Sequence, residues 1–196
     1  MSGLRKRAPC ESENSLSDRL YHRIVRDRFY RDKVSAELYR ELSLYRDDTP
    51  VEEDTEPPCP GPIGRVDFIF KHGTGTQKPY PEFVIEAKRL HVTFPRAGRH
   101  SLVTEYVSGD QGMMCFISGR YAPTQRVGAM LGYVFDGKVA AARTEIAAAV
   151  AVNSAKLLLK QGTPLITTTL SDIQADETWH ALETREFRLF HLLAPV

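Results

Sequence analysis

Arg65-Val66-Asp67-Phe68-Ile69-Phe70 is followed, across a segment punctuated by Gly73, Gly75, Pro79 and Pro81, by Phe83-Val84-Ile85-Glu86-Ala87-Lys88-Arg89-Leu90. Val, Ile and Phe dominate both runs, and turn-forming residues bound them, so both read as strands. A carboxylate inside such a run is costly to bury unless a cation or hydrogen bonds compensate it. Asp67, Glu86 and Lys88 therefore call for a local explanation. Residues two apart on a strand face the same side, so Glu86 and Lys88 project together. If the two strands pair, Asp67 lies beside Glu86. Two carboxylates and the carbonyl oxygen of Ala87 suit Mg²⁺, which binds oxygen, accepts few protein ligands and keeps several waters. Two roles are open to Lys88: orienting or deprotonating a water, or remaining charged and stabilising a transition state.

Working outward, Leu20, Ile24, Val25 and Phe29 recur at helical spacing, with Ser15 or Ser17 as the N-cap. Residues 1–12 read as a flexible lead-in and 13–196 as one domain. The stretch 34–45 fits either a continued helix or a strand, the strand being favoured because Asp47-Asp48-Thr49-Pro50 then forms a turn. Pro57, Pro58, Pro60 and Pro62 make 47–64 a loop. A short helix is expected near 99–108. The unbroken apolar run within 112–121 reads as an interior strand, and 129–135 as another. The Ala-rich segment 137–161 is the longest helical signal, ending at Gly162 and Pro164. Strand-like segments follow at 165–170 and 179–193. The sum is an α+β fold, a central mixed sheet between helices, with an extra C-terminal helix and strands.

Lys and Arg number 26 against 25 Asp and Glu, a net charge of +1 that points to no particular partner. Basic residues crowd one early segment (Arg19, Arg23, Arg26, Arg28, Arg31), and a basic helix there fits either a solvated face or a phosphate backbone. The three cysteines lack CxxC spacing, which argues against a structural zinc or a disulfide framework and for a reducing cytoplasm. No apolar run reaches the ~18 residues of a membrane span, and none follows the basic start as in a secretory signal. Gly73-Thr74-Gly75-Thr76 lacks the lysine of a phosphate-binding loop, and no G-x-S-x-G occurs.

Arg65-Val66-Asp67-Phe68 and Val84-Ile85-Glu86-Ala87-Lys88 resemble the PD-(D/E)xK nuclease superfamily, with its restriction-endonuclease-like fold. Val66 stands where the family name has proline. The likeness covers roughly residues 13–121. It implies a helix before the two strands, and a helix then a strand after them. It also implies a Mg²⁺-dependent deoxyribonuclease, with Mn²⁺ able to substitute. Asp67, Glu86 and Lys88 would be catalytic, and Asp67, Glu86 and the Ala87 carbonyl would hold the metal. Many members add a glutamate from the first helix, for which Glu13, Glu37 and Glu41 are candidates, and Gln111 stands where a polar site residue sometimes comes. A role in bacterial restriction or anti-phage defence is a further expectation from the resemblance, with RNA also open as substrate.

Arg65, Arg89 and Arg120 are candidate phosphate contacts, each weighed against a plain surface role. His91 is read as a loop histidine, and His180 and His191 as structural. The rival reading is a non-catalytic or partner-activated subunit, working as a homodimer or with an ATPase- or helicase-like protein. Its motive is that a nearly neutral chain of 196 residues has no separate module for choosing DNA.

Overall fold

The computed structural model of the chain describes residues 5–6, 8–31, 42–46, 66–72, 82–160, 164–168, 170 and 174–196. Helix α1 (Glu13–Arg31) precedes strands β1 (Leu42–Arg46), β2 (Phe68–His72) and β3 (Glu82–Leu90). A hairpin of β4 (Val92–Phe94) and β5 (Gly98–His100) leads into short helices α2 (Val103–Val107) and α3 (Met114–Ile117). Then come β6 (Val127–Val134), helix α4 (Val139–Val152), and strands β7 (Ile166–Thr167), β8 (Asp176–Ala181) and β9 (Glu186–Pro195).

Among the described residues, seven strands form one mixed sheet in the order β1-β2-β3-β6-β9-β8-β7. The first three make an antiparallel meander. β3, β6 and β9 run parallel, and β8 and β7 return antiparallel. The parallel pairs need crossovers, which α2–α3 and α4 provide. The chain is thus α+β, with a central mixed sheet flanked by helices. Leu16 of α1 packs with Phe68, Ala87, Leu131 and Tyr133 on one face. Residues of α2, α3 and α4 pack with Val84, Leu90, Met130, Phe187 and Leu189 on the other. Among the described residues no helix is long and apolar enough to cross a membrane.

Three local expectations are corrected. Helix α1 starts earlier than Ser15 or Ser17 would place it, because the Ser12 hydroxyl accepts the Ser15 amide at 3.2 Å. Ser17 is instead buried, sharing a hydrogen bond with the Tyr133 hydroxyl at 3.0 Å. The apolar run within 112–121 is no strand: Met114–Ile117 is a single helical turn with Cys115 and Phe116 buried. A turn buried on several sides shows no periodicity to distinguish it from a strand. The strand that follows the crossover is β6. Finally, α4 stops at Val152, and the chain continues in turns to Leu158, whose φ of 51° is left-handed.

A hydrogen-bond chain crosses the α2–α4 side of the core. Tyr106 Oη lies 3.0 Å from His191 Nδ1, His191 Nε2 3.0 Å from Thr178 Oγ1, Thr178 Oγ1 2.7 Å from His180 Nε2, and His180 Nδ1 2.7 Å from the Leu157 carbonyl. The carbonyl can only accept, so His180 Nδ1 donates. With both imidazoles neutral, every further link then has one donor and one acceptor: Thr178 to His180, His191 to Thr178, Tyr106 to His191. Burial pushes His180 down to about 4 and His191 to about 3, the second helped by the neighbouring His180. The structural role expected of both histidines is what the packing shows.

Gly112 fixes the turn that follows α2. A Cβ there would lie 2.3 Å from the carbonyl oxygens of both Glu105 and Tyr106, and backbone atoms have little room to yield. Gly112→Ala is expected to destabilise the fold by about 2 kcal/mol or more, measured by urea denaturation. An unchanged midpoint would mean that the turn relaxes freely.

Candidate active site

The site begins where two strands part. The β2–β3 ladder runs from Lys71–Glu82 to Phe68–Ile85 and goes no further. β3 continues to Leu90, still paired with β6 along its other edge from Ile85–Ala129 to Leu90–Val134. The backbone groups of Ala87 and Arg89, on the edge away from β6, therefore face the gap and must find partners other than a strand. Side chains supply them. Asp67, one residue before β2, accepts the Ala87 amide on Oδ2 at 2.8 Å. Glu13, the first residue of α1, accepts the Arg89 amide on Oε2 at 3.0 Å.

Alternation places Glu86 and Lys88 on the face of Val84 and Leu90, as their spacing requires. The Lys88 ammonium donates to Glu86 Oε1 at 2.6 Å, to the Ala87 carbonyl at 2.8 Å and to Glu13 Oε1 at 3.3 Å. Asp67, Glu86 and Lys88 are all buried, and Glu86 is only 4% exposed. Glu86 Oε2 is buried with no hydrogen-bond partner.

Three carboxylates thus share one ammonium. Burial raises Glu86 to about 8: Lys88 opposes the rise, while the charges of Asp67 and Glu13 add to it. Glu13 is raised for the same first reason, with Lys88 again opposing. Burial alone would lower Lys88, but Glu86 and then Glu13 outweigh it and hold the ammonium above the ordinary lysine range. The two partners pull in different senses, one towards a neutral acid and the other towards a firm cation. Burial drives the first and the surrounding carboxylates the second; three carboxylates around a single lysine add to both, and a second cation would relieve that excess of negative charge.

A third layer of groups comes from α3 and the turn beyond it. The Arg120 guanidinium lies 2.7 Å from Cys115 Sγ and donates to the Asp110 carbonyl, and its carbon is 5.7 Å from the Tyr121 ring centroid. Burial raises the Tyr121 phenol, and the Glu86 charge raises it further. Burial also pushes the Cys115 thiol up, away from nucleophilic behaviour.

Of the sequence candidates, the structure brings Asp67, Glu86, Ala87, Lys88 and Glu13 together and places Arg120 nearby. Gln111 sits exposed in the turn after α2. Arg89 turns its guanidinium towards the Cys10 and Glu11 carbonyls at 3.4 and 3.3 Å. Glu37, Glu41 and Arg65 lie outside the described residues. Cys115 has no signal in the sequence, since its pairing with Arg120 depends on the turn after α3. His91 sits, as expected, in the connection between β3 and β4, where it is fully buried with Nδ1 2.9 Å from Asp136 Oδ1.

Among the described residues, no three His, Cys, Asp or Glu side chains converge as a ready-made metal cage. What is present is an orphaned Glu86 oxygen, the Ala87 carbonyl on an unpaired strand edge, and the Asp67 carboxylate. That all-oxygen set, short of a full shell, fits a hard cation that retains waters. Comparison of the chain with protein-family models, with curated proteins and with solved structures gave no match.

Proposed function

We propose that the chain is a metal-dependent nuclease of the PD-(D/E)xK type that hydrolyses phosphodiester bonds in DNA. The observation that carries this reading is the buried, partnerless Glu86 Oε2, beside a lysine and two further carboxylates at the open edge of β3. Glu86, Asp67 and the Ala87 carbonyl would hold Mg²⁺. Bound there, the ion supplies charge neutralisation and lowers the pKa of a water.

The protein's own groups do the rest. Asp67 and Glu13, tied to backbone amides, keep the carboxylates aimed. Lys88 donates to three oxygens, an arrangement that suits a fixed positive charge facing a phosphate oxygen better than a base. In the reaction a water oxygen bonds to phosphorus, the bond from phosphorus to the leaving sugar oxygen breaks, and the water's proton ends on that oxygen through solvent.

The scaffold reading has one observation in its favour: Lys88 already closes the carboxylate cluster as a cation would. Calorimetry with Mn²⁺ and a plasmid-cleavage assay in Mg²⁺ separate the two. Wild type is expected to take up the metal and to cut, while Glu86→Gln does neither. Equal cutting by both, or no uptake by wild type, sinks the nuclease reading.

A further inference from the structure

Between Ala87 and Thr104 the chain carries Lys88, Arg89, Arg96 and Arg99 and no acidic residue. The middle of this stretch is the β4–β5 hairpin, paired Val92–His100 to Phe94–Gly98. Pro95, Arg96 and Ala97 form its tip, and Gly98, at φ 75°, closes the turn in a conformation that favours glycine. From Pro95 to His100 every residue is exposed.

The hairpin is nonetheless firmly based. The His91 amide donates to the Ser101 carbonyl at 3.0 Å, so its two ends are joined. The buried His91 ring lies between Asp136, in the turn after β6, and Glu145, on α4. Its Nε2 is 3.3 Å from Glu145 Oε2, within ion-pair distance though off the hydrogen-bond direction. Arg99 reaches the same two carboxylates, at 3.3 Å from Asp136 and 3.7 Å from Glu145. Ser101 Oγ donates to Glu145 Oε2 at 2.5 Å. Phe94 carries the Arg89 guanidinium carbon 5.8 Å from its ring centroid and meets His100 edge-on at 5.4 Å. His91 and Leu102, which flank the hairpin, both have left-handed φ, 55° and 58°. Such residues persist only where surrounding contacts hold them.

Asp136 and Glu145 thus answer Arg99, and Arg96 is left exposed at the tip without an ionic partner among the described residues. A rigid β-ribbon that ends in an unpaired arginine matches a phosphate backbone, and a two-stranded ribbon is narrow enough for the major groove of a duplex. Arg96 lies eight positions along the chain from Lys88. Eight fully extended steps span at most roughly 28 Å, under one turn of B-form DNA at about 34 Å. The hairpin tip therefore lies within one turn's length of a duplex held at β3.

We infer that the β4–β5 hairpin is a docking element for double-stranded DNA, with Arg96 on a backbone phosphate. This deepens the nuclease reading and rests on it for the choice of ligand. The test uses the full chain in Ca²⁺ without Mg²⁺, and a fluorescent 30-base-pair duplex titrated by anisotropy at several salt concentrations. Each phosphate contact adds about 0.9 to the slope of log affinity against log salt. Arg96→Ala is expected to lower that slope by about 1, and Arg96→Glu to weaken binding at least tenfold.

Hydrolysis of a small chromogenic phosphodiester, too short to reach the hairpin, is measured alongside in Mg²⁺ and is expected to be equal in wild type and both Arg96 variants. Unchanged slope and affinity in both variants, or no duplex binding by wild type, overturns the hairpin inference. Tighter, Arg96-dependent binding of single-stranded DNA than of duplex overturns it as well. Slope loss in the variants without hydrolysis of the small ester by any of the proteins leaves the hairpin standing and removes the nuclease reading.

Discussion

Lys88→Met is expected to abolish DNA cleavage and to destabilise the metal-free fold by about 3 kcal/mol at pH 8. Methionine keeps the length of the side chain but removes the one cation that Glu86, Glu13 and the Ala87 carbonyl share. Breaking a buried charge pair from one side leaves the other charge uncompensated, which costs more than the pair ever contributed. The deficit should shrink in acid. Glu86 is raised from 4.5 to about 8, so the fold binds a proton there more readily than the unfolded chain does. Stability from that proton is complete below 4.5 and is lost as the pH rises through 8. Without Lys88 the carboxylate depends on its proton still more. Urea midpoints at pH 5 and pH 8 check this, and an equal deficit at both would show that the site stays ionised throughout. Added Mg²⁺ is expected to raise the midpoint of the variant more than that of wild type, because it replaces the missing charge.

The second large effect concerns acid. His180 and His191 take up protons near 6.5 when unfolded, but only at about 4 and about 3 in the fold. Their contribution is therefore complete above 6.5 and disappears as the pH falls towards 4 and 3. Every tenfold loss of proton affinity on folding corresponds to about 1.4 kcal/mol. Glu86 acts in the opposite sense between 8 and 4.5, so the comparison is best made with a variant. His180→Gln is expected to be less stable than wild type at pH 7.5, having lost a link in the chain from Tyr106 to Leu157. Between pH 7.5 and 4.5 that gap should close by roughly 2–3 kcal/mol, since glutamine has no proton to gain. A gap independent of pH would mean that His180 takes up its proton as readily in the fold as in the unfolded chain.

Much of this arrangement is legible in the unfolded chain, for identifiable reasons. Strand periodicity is short, so five or six residues around Ile69 and Ile85 are enough to place β2 and β3 and to put Glu86 and Lys88 on one face. Glu13 is legible only as one candidate of three, because strand spacing says nothing about which residue of a preceding helix reaches a strand edge. The single turn Met114–Ile117 escapes the pattern, since a short segment buried on several sides looks the same as an interior strand. The links from Tyr106 to His191 and from Thr178 to His191 join residues on different elements. They arise from register and crossover geometry, for which no local pattern exists.

The early end of the β2–β3 ladder has a thermodynamic consequence for any ligand of this site. Asp67 and Glu13 replace the missing strand as hydrogen-bond partners of Ala87 and Arg89, so their rotamers are set once the sheet forms. The entropic cost of immobilising those side chains, about 0.5–1.5 kcal/mol each for a rotamer-rich group, falls on folding and not on association. A ligand arriving at β3 meets carboxylates already frozen in place.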